Sequence, residues 1–191
     1  MLKYTSYEKK VGRILIDIID NTVYNFLASL QNLTLNNVMI IITSFASAAS
    51  LILITVYLFL FTKTRKDAKY VTINLVIVFL ITQILKNIFA RPRPSVLHLV
   101  EESGYSFPSA HAMVGFGFYA FCIYLIYKKV ENKKLKWFSI IGLSLLIFFI
   151  GISRVYLGVH HFTDIIGGFA FAAIYISIFI KFIYKKGVLD K

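Results

Sequence analysis

The chain has 191 residues, is 58% hydrophobic and carries a formal net charge of +12. So apolar a composition excludes an ordinary soluble domain. The basic residues sit in short loops between apolar runs and form no aromatic-interleaved patch, which excludes a nucleic-acid binder, and the single cysteine, Cys122, excludes an intrachain disulfide.

The length suits one domain over residues 1–191. No cleavable signal peptide is evident, because the first thirteen residues are charged and the stretch after them carries Asp17 and Asp20. Val11, Ile14, Leu15, Ile18, Ile19, Val23, Phe26 and Leu27 recur at helical spacing, with Asp17, Asp20 and Asn21 between them. Residues 1–33 therefore read as an amphipathic N-terminal segment. Its 11–33 part lies on the membrane surface or, alternatively, crosses as a sixth helix.

Residues 36–61 follow without a formal charge and are long enough to span a bilayer as a helix. A cationic stretch comes next, with Lys63, Arg65, Lys66 and Lys69. Residues 70–89 make a second span and 90–108 a loop punctuated by proline and glycine. A third span runs over 109–127, and Lys128 to Lys136 holds five lysines and Glu131. A fourth span opens at Trp137 and ends near Ser153; a fifth covers 163–182 before Lys185 and Lys186. The expected fold is an all-α polytopic membrane bundle of five spanning helices, plus the N-terminal interfacial or sixth helix.

Counting crossings assigns sides. Segments 62–69, 128–136 and the C-terminal tail share one face and hold most of the non-catalytic positive charge, so that face is expected to be cytoplasmic. An interfacial 11–33 helix would leave Lys3, Lys9, Lys10 and Arg13 on the other side, against that trend.

Three polar clusters meet at the opposite face: Lys86 to Pro94, Pro108-Ser109-Ala110-His111, and Ser153-Arg154 with His160 and Asp164. Ionisable residues beside hydrocarbon mark function by default. A carboxylate four residues after His160 can hold one ring nitrogen and leave the other free to attack; the same pair could equally tie helices together. His161 stands as a second candidate attacker, pointing away from Asp164 on a helix. Arg154 presents a planar fork to phosphate oxygens and Ser153 a hydroxyl. Ser109 can cap a helix whose first-turn amides receive an anion, and His111 in that turn can act as general acid. Lys86 and Arg93 can face the same pocket, whereas Arg91 is assigned to an interfacial or lipid-headgroup contact. Two histidines and an aspartate could bind zinc, but Lys86, Arg93 and Arg154 beside them suit a phosphate dianion.

This pattern resembles the type 2 phosphatidic acid phosphatase (PAP2) superfamily, which includes membrane lipid phosphatases and vanadium haloperoxidases. Its signature is a lysine, six residues, then Arg-Pro; Pro-Ser-Gly-His; and Ser-Arg, five residues, His, three residues, Asp. Lys86 with Arg93-Pro94, Pro108-Ser109-Ala110-His111 and Ser153-Arg154-His160-Asp164 keep it, with alanine in place of the usual glycine. The resemblance covers about residues 17–184 and implies catalysis by His160 as nucleophile, held by Asp164, with His111 protonating the leaving group. It implies phosphate binding by Lys86, Arg93, Ser109, Ala110 through its amide, Ser153 and Arg154, with no metal and no cofactor.

The compact size resembles bacterial members acting on phosphatidylglycerophosphate or undecaprenyl pyrophosphate. The partners so implied are a lipid phosphate and the bilayer, in a bacterial cytoplasmic membrane with the site on the extracytoplasmic face. The alternative function is non-hydrolytic lipid-phosphate binding or transport.

Overall fold

A computed structural model describes residues 2–61 and 65–188; Lys63 and the side chains of Lys3, Lys9 and Lys10 lie outside the described set. The protein is all-α. Its helices are α1 (Leu2–Ala28), α2 (Leu33–Ser44), α3 (Ala48–Phe61), α4 (Arg65–Phe89), α5 (Ala110–Lys129), α6 (Lys133–Tyr156) and α7 (Phe162–Ile178), the last continuing as a π-helical segment, Phe179–Tyr184.

Four helices are each long and apolar enough to cross a bilayer: Arg65–Phe89, Ala110–Lys129, Lys133–Tyr156 and Phe162–Tyr184. The span expected over 36–61 is not one helix. α2 and α3 bend by 49° at their junction, so the described spans number four, or five if the bent pair is one. The break has one distant and one local cause. The Tyr119 hydroxyl donates to the Phe45 carbonyl at 2.7 Å, and Ser47 Oγ accepts the Ser50 amide at 3.2 Å, which restarts the helix.

The N-terminal segment is a helix and gives no clear sixth span among the described residues. α1 ends at Ala28 and is not among the helices that meet the length and hydropathy of a span. Its Ile14, Leu15, Ile18 and Ile19 are exposed, whereas Asp20 is only 3% exposed. Apolar side chains therefore face outward and one carboxylate faces the protein, the reverse of a helix docked in water.

α5 lies at the centre, packed on α4, α6 and α7. Asn74, wholly buried, ties α4, α5 and α7 together: its Nδ2 donates to the Gly117 carbonyl at 3.0 Å and its Oδ1 accepts the Tyr175 hydroxyl at 3.0 Å. Such bonds inside a bilayer leave no polar group facing hydrocarbon. At one end of the bundle, Asn132 caps α6 beside Lys128, Lys129, Lys133 and Lys134. At the other end α4 and α6 finish while α5 and α7 begin.

Gly158 makes the close approach that brings the connections at this second end together. Its φ is +78°, and a Cβ there would lie 2.3 Å from the Leu97 carbonyl oxygen. Gly158→Ala is expected to lower stability by about 3 kcal/mol through strain and collision, read as a fall in the thermal midpoint in detergent.

Candidate active site

Two connections build the site. One runs from the end of α4 at Phe89 to the start of α5 at Ala110; the other is the turn 157–161 between α6 and α7. They are stitched by Leu99 N–H to the Leu157 carbonyl (3.0 Å) and Arg93 Nη1 to the Val159 carbonyl (2.7 Å), and Ser109 N–H reaches the Asp164 carbonyl at 3.2 Å. All three sequence clusters thereby meet at one end of the bundle, away from the lysine-rich α5–α6 connection.

His160 is not on a helix, contrary to the one-face reading of its spacing. It precedes His161, the N-cap of α7, and Asp164 is the third residue of that helix. Asp164 Oδ2 accepts the His161 amide at 2.9 Å, which closes the helix start, and lies 3.4 Å from His160 Nδ1. His160 is 2% exposed and Asp164 is fully buried. A proton on Nδ1 faces Asp164 and leaves the Nε2 lone pair toward Arg93 Nη1, 3.3 Å away. Burial pulls the His160 pKa down to about 4, against the hydrogen bond to Asp164, which raises it. The ring is therefore neutral at pH 7, the form an attacking nitrogen needs. The His161 ring turns elsewhere, with Nδ1 3.7 Å from Asp20 Oδ2.

A titration follows from this. By ¹⁵N NMR of the histidines, the signal that disappears in His160→Ala is expected to stay neutral as pH falls from 8 to 5 and to protonate only near 4. Titration near the ordinary histidine value of about 6.5 would contradict it.

His160, His111, Lys86, Arg93, Ala110 and Glu102 line one cavity of about 430 Å³. Among the described residues, the segment Glu102 to Tyr105 provides acceptors for all three cations. Lys86 Nζ donates to the Tyr105 carbonyl. Arg93 donates to the Gly104 and Ser103 carbonyls at 3.1 and 2.7 Å. The Glu102 carboxylate takes Arg154 Nη2 through one oxygen and sits 3.5 Å from Arg93 Nη2 through the other. Two guanidinium groups bridged by one carboxylate are spaced for two oxygens of a tetrahedral anion as well. Arg154 is 1% exposed, donates from Nη1 to Thr43 Oγ1 at 3.0 Å, and keeps a buried Nε without a partner among the described residues. An unmet buried donor is costly and is a standing demand for an acceptor.

Ser109 caps α5, its hydroxyl accepting the Ala112 amide at 3.5 Å. Ala110 is the first residue of α5 and has no positive φ, so alanine there needs no backbone conformation reserved for glycine. Its amide is one of the first-turn donors that a helix leaves unpaired. Ser153 does not line the cavity; its hydroxyl donates to the Ile150 carbonyl at 2.7 Å.

Arg91 is not the lipid-facing cation that the sequence suggested. Its Nη1 donates to Asp164 Oδ1 and to Thr163 Oγ1, each at 2.7 Å, and its Nη2 to Asp20 Oδ2 at 2.7 Å. Asp20, Glu102, Thr43 and Thr163 were not singled out from sequence as parts of the site. Glu102 carried a usable signal, an acid between two cationic clusters in a chain with only nine acids. Asp20 carried none beyond sitting among apolar neighbours.

An apolar cavity of about 390 Å³ adjoins the polar one. Leu51, Leu75 and Phe79 contribute to its wall, and it shares Ala110 and His111 with the polar cavity.

Comparison with known proteins accounts for the arrangement. Residues 67–187 match the PAP2 superfamily. Over 159 residues, 80% of this chain and 77% of the relative, the sequence is 31% identical to undecaprenyl-diphosphatase BcrC of Bacillus subtilis. It is 41% identical over 93 residues to phosphatidylglycerophosphatase B of the same organism; that match spans 48% of this chain and only 45% of the relative. The crystal structure of a transmembrane PAP2 type phosphatidylglycerolphosphate phosphatase from Bacillus subtilis superposes with a TM-score of 0.80 and 29% identity, covering 90% of this chain and 87% of that one. The chain belongs to the PAP2 superfamily, among its multi-pass bacterial membrane lipid phosphate phosphatases.

Proposed function

We propose that the protein hydrolyses a lipid phosphomonoester or pyrophosphate through a phosphohistidine intermediate. The observation that carries this reading is the single cavity holding His160, His111, Lys86 and Arg93. Phosphoryl oxygens displace the Glu102 carboxylate and nearby carbonyls from Lys86, Arg93 and Arg154, and the first-turn amides of α5 add donors. His160 Nε2 attacks the terminal phosphorus while its bond to the leaving oxygen breaks (the lipid alcohol oxygen of a monoester, the bridging oxygen of a pyrophosphate), and His111 gives that oxygen its proton. Water, deprotonated by His111, then attacks phosphorus and frees His160 and inorganic phosphate. Asp164 steadies the imidazole as its charge develops. Ser153 contributes from outside the cavity as a helix residue rather than as a donor to the anion.

The adjoining apolar cavity suits an acyl or prenyl tail, with the headgroup at His111. The relatives named for phosphatidylglycerophosphate and for undecaprenyl diphosphate make those two the leading substrates. Lysines at the far end of the bundle suit a cytoplasmic face, which supports a reaction at the extracytoplasmic leaflet. Purified protein in detergent is expected to release phosphate from one of these lipids, with undiminished rate after treatment with a chelator. Binding of lipid phosphate without release from any of them would support a binder or transporter instead.

A further inference from the structure

We propose that Asp20, in α1, is a positioning residue for the proposed reaction, acting through Arg91 and Asp164 on His160. This rests on the phosphatase reading above and adds a residue outside the 67–187 region that matches the family.

Asp20 is a buried carboxylate on an N-terminal helix whose neighbouring isoleucines face outward. It grips the catalytic carboxylate in two ways. Oδ1 accepts the Thr163 amide at 2.8 Å and Oδ2 accepts the Thr163 hydroxyl at 2.8 Å, which fixes the residue just before Asp164. Oδ2 also accepts Arg91 Nη2 at 2.7 Å, while Arg91 Nη1 holds Asp164 Oδ1 at 2.7 Å. The Thr163 amide is a first-turn donor of α7, so Asp20 supplies from another helix the anion that a helix N-terminus favours.

The charge balance gives Asp20 a second effect. Arg91 paired with Asp164 alone is a neutral unit. Asp20 makes the trio net negative, and that charge sits behind the Nδ1 side of His160. When Nε2 bonds to phosphorus the imidazole becomes cationic, and a negative cluster behind it stabilises that change in a site shielded from water. Among the described residues, the binding cations Lys86, Arg93 and Arg154 donate no hydrogen bond to Asp20. Removing its charge should therefore slow the chemical step and leave phosphate affinity alone.

The test is Asp20→Asn, Asp20→Glu and Thr163→Val in the full chain, with rates taken per folded molecule from a monodisperse detergent fraction. Asp20→Asn is expected to lower kcat about tenfold or more, with KM and the inhibition constant of inorganic phosphate within about twofold of wild type. Asp20→Glu, which keeps the charge, is expected to restore most of kcat. Thr163→Val, which removes the two hydrogen bonds of the hydroxyl (to Asp20 and from Arg91) and no charge, is expected to cost less than Asp20→Asn. Equal kcat for Asp20→Asn and wild type would overturn the inference. So would a loss in which kcat and phosphate affinity fall together, or one that Asp20→Glu shares in full. If Asp20→Asn does not fold, the comparison of Asp20→Glu with Thr163→Val decides: a larger loss in Asp20→Glu overturns the role of charge, and a smaller one supports it. Wild type and His160→Ala are run alongside. No release by wild type would instead remove the phosphatase reading itself.

Discussion

His160→Ala is expected to abolish phosphate release, a fall in kcat on the order of 10⁴-fold or more. It should also remove the acid-labile phosphoprotein that wild type forms on brief exposure to radiolabelled substrate. The size of the effect follows from geometry. His160 lines the cavity, its Nε2 lies 3.3 Å from Arg93 Nη1, and its Nδ1 faces a fully buried carboxylate. No neighbouring ring can take over. The His161 imidazole turns to Asp20, its Nδ1 3.7 Å from Asp20 Oδ2, and in the proposed reaction His111 serves the leaving oxygen. Asp164→Asn should cost less, because the imidazole stays in place and loses only its charged partner. A labelled phosphoprotein persisting in His160→Ala would transfer the attack to His161.

Arg91→Ala is expected to damage turnover about as severely as Arg154→Ala, each on the order of 10²-fold, but for different reasons. In the proposed reaction Arg154 offers its guanidinium to the anion, so its loss would remove charge stabilisation where phosphate reacts. Arg91 holds Asp164 and Asp20 together, so its loss misplaces His160. The two variants should separate in stability. Removing Arg91 leaves two buried carboxylates without their shared cation and should cost about 3 kcal/mol. Removing Arg154 leaves Glu102, 26% exposed, which can turn to solvent. Thermal unfolding in detergent with inhibition by inorganic phosphate checks this: Arg91→Ala melts early and still binds phosphate, whereas Arg154→Ala binds it weakly. An Arg91→Ala variant with wild-type turnover would return Arg91 to the lipid-headgroup role read from sequence.

The membrane character, the spans from Arg65 onward and the meeting of the three clusters at one face were legible because each rests on local pattern. Apolar runs of spanning length, loop charge and the number of crossings determine which ends of the helices come together. The break at Phe45 to Ser47 was not legible. It depends on a hydroxyl from Tyr119, 74 residues away, and on a serine cap inside an otherwise apolar run. The i, i+4 spacing of His160 and Asp164 predicted their contact for a reason that the structure replaces: the pair meets across a helix start rather than along a helix face.

The amino-acid order by itself determined that the chain is a polytopic helical membrane protein with histidines and cations gathered at one membrane surface, because hydrophobic length and residue spacing act over a few turns. Only the tertiary structure decided how the charges divide. Arg91 and Arg93 are two residues apart and equally cationic, yet one holds two buried acids and the other lines the cavity. Asp17 and Asp20 share one helix, yet one is exposed and the other buried against α7. A charge takes its role from the partner it meets once water is excluded, and for Arg91, Arg154 and Asp20 those partners are 52 to 143 residues distant in sequence.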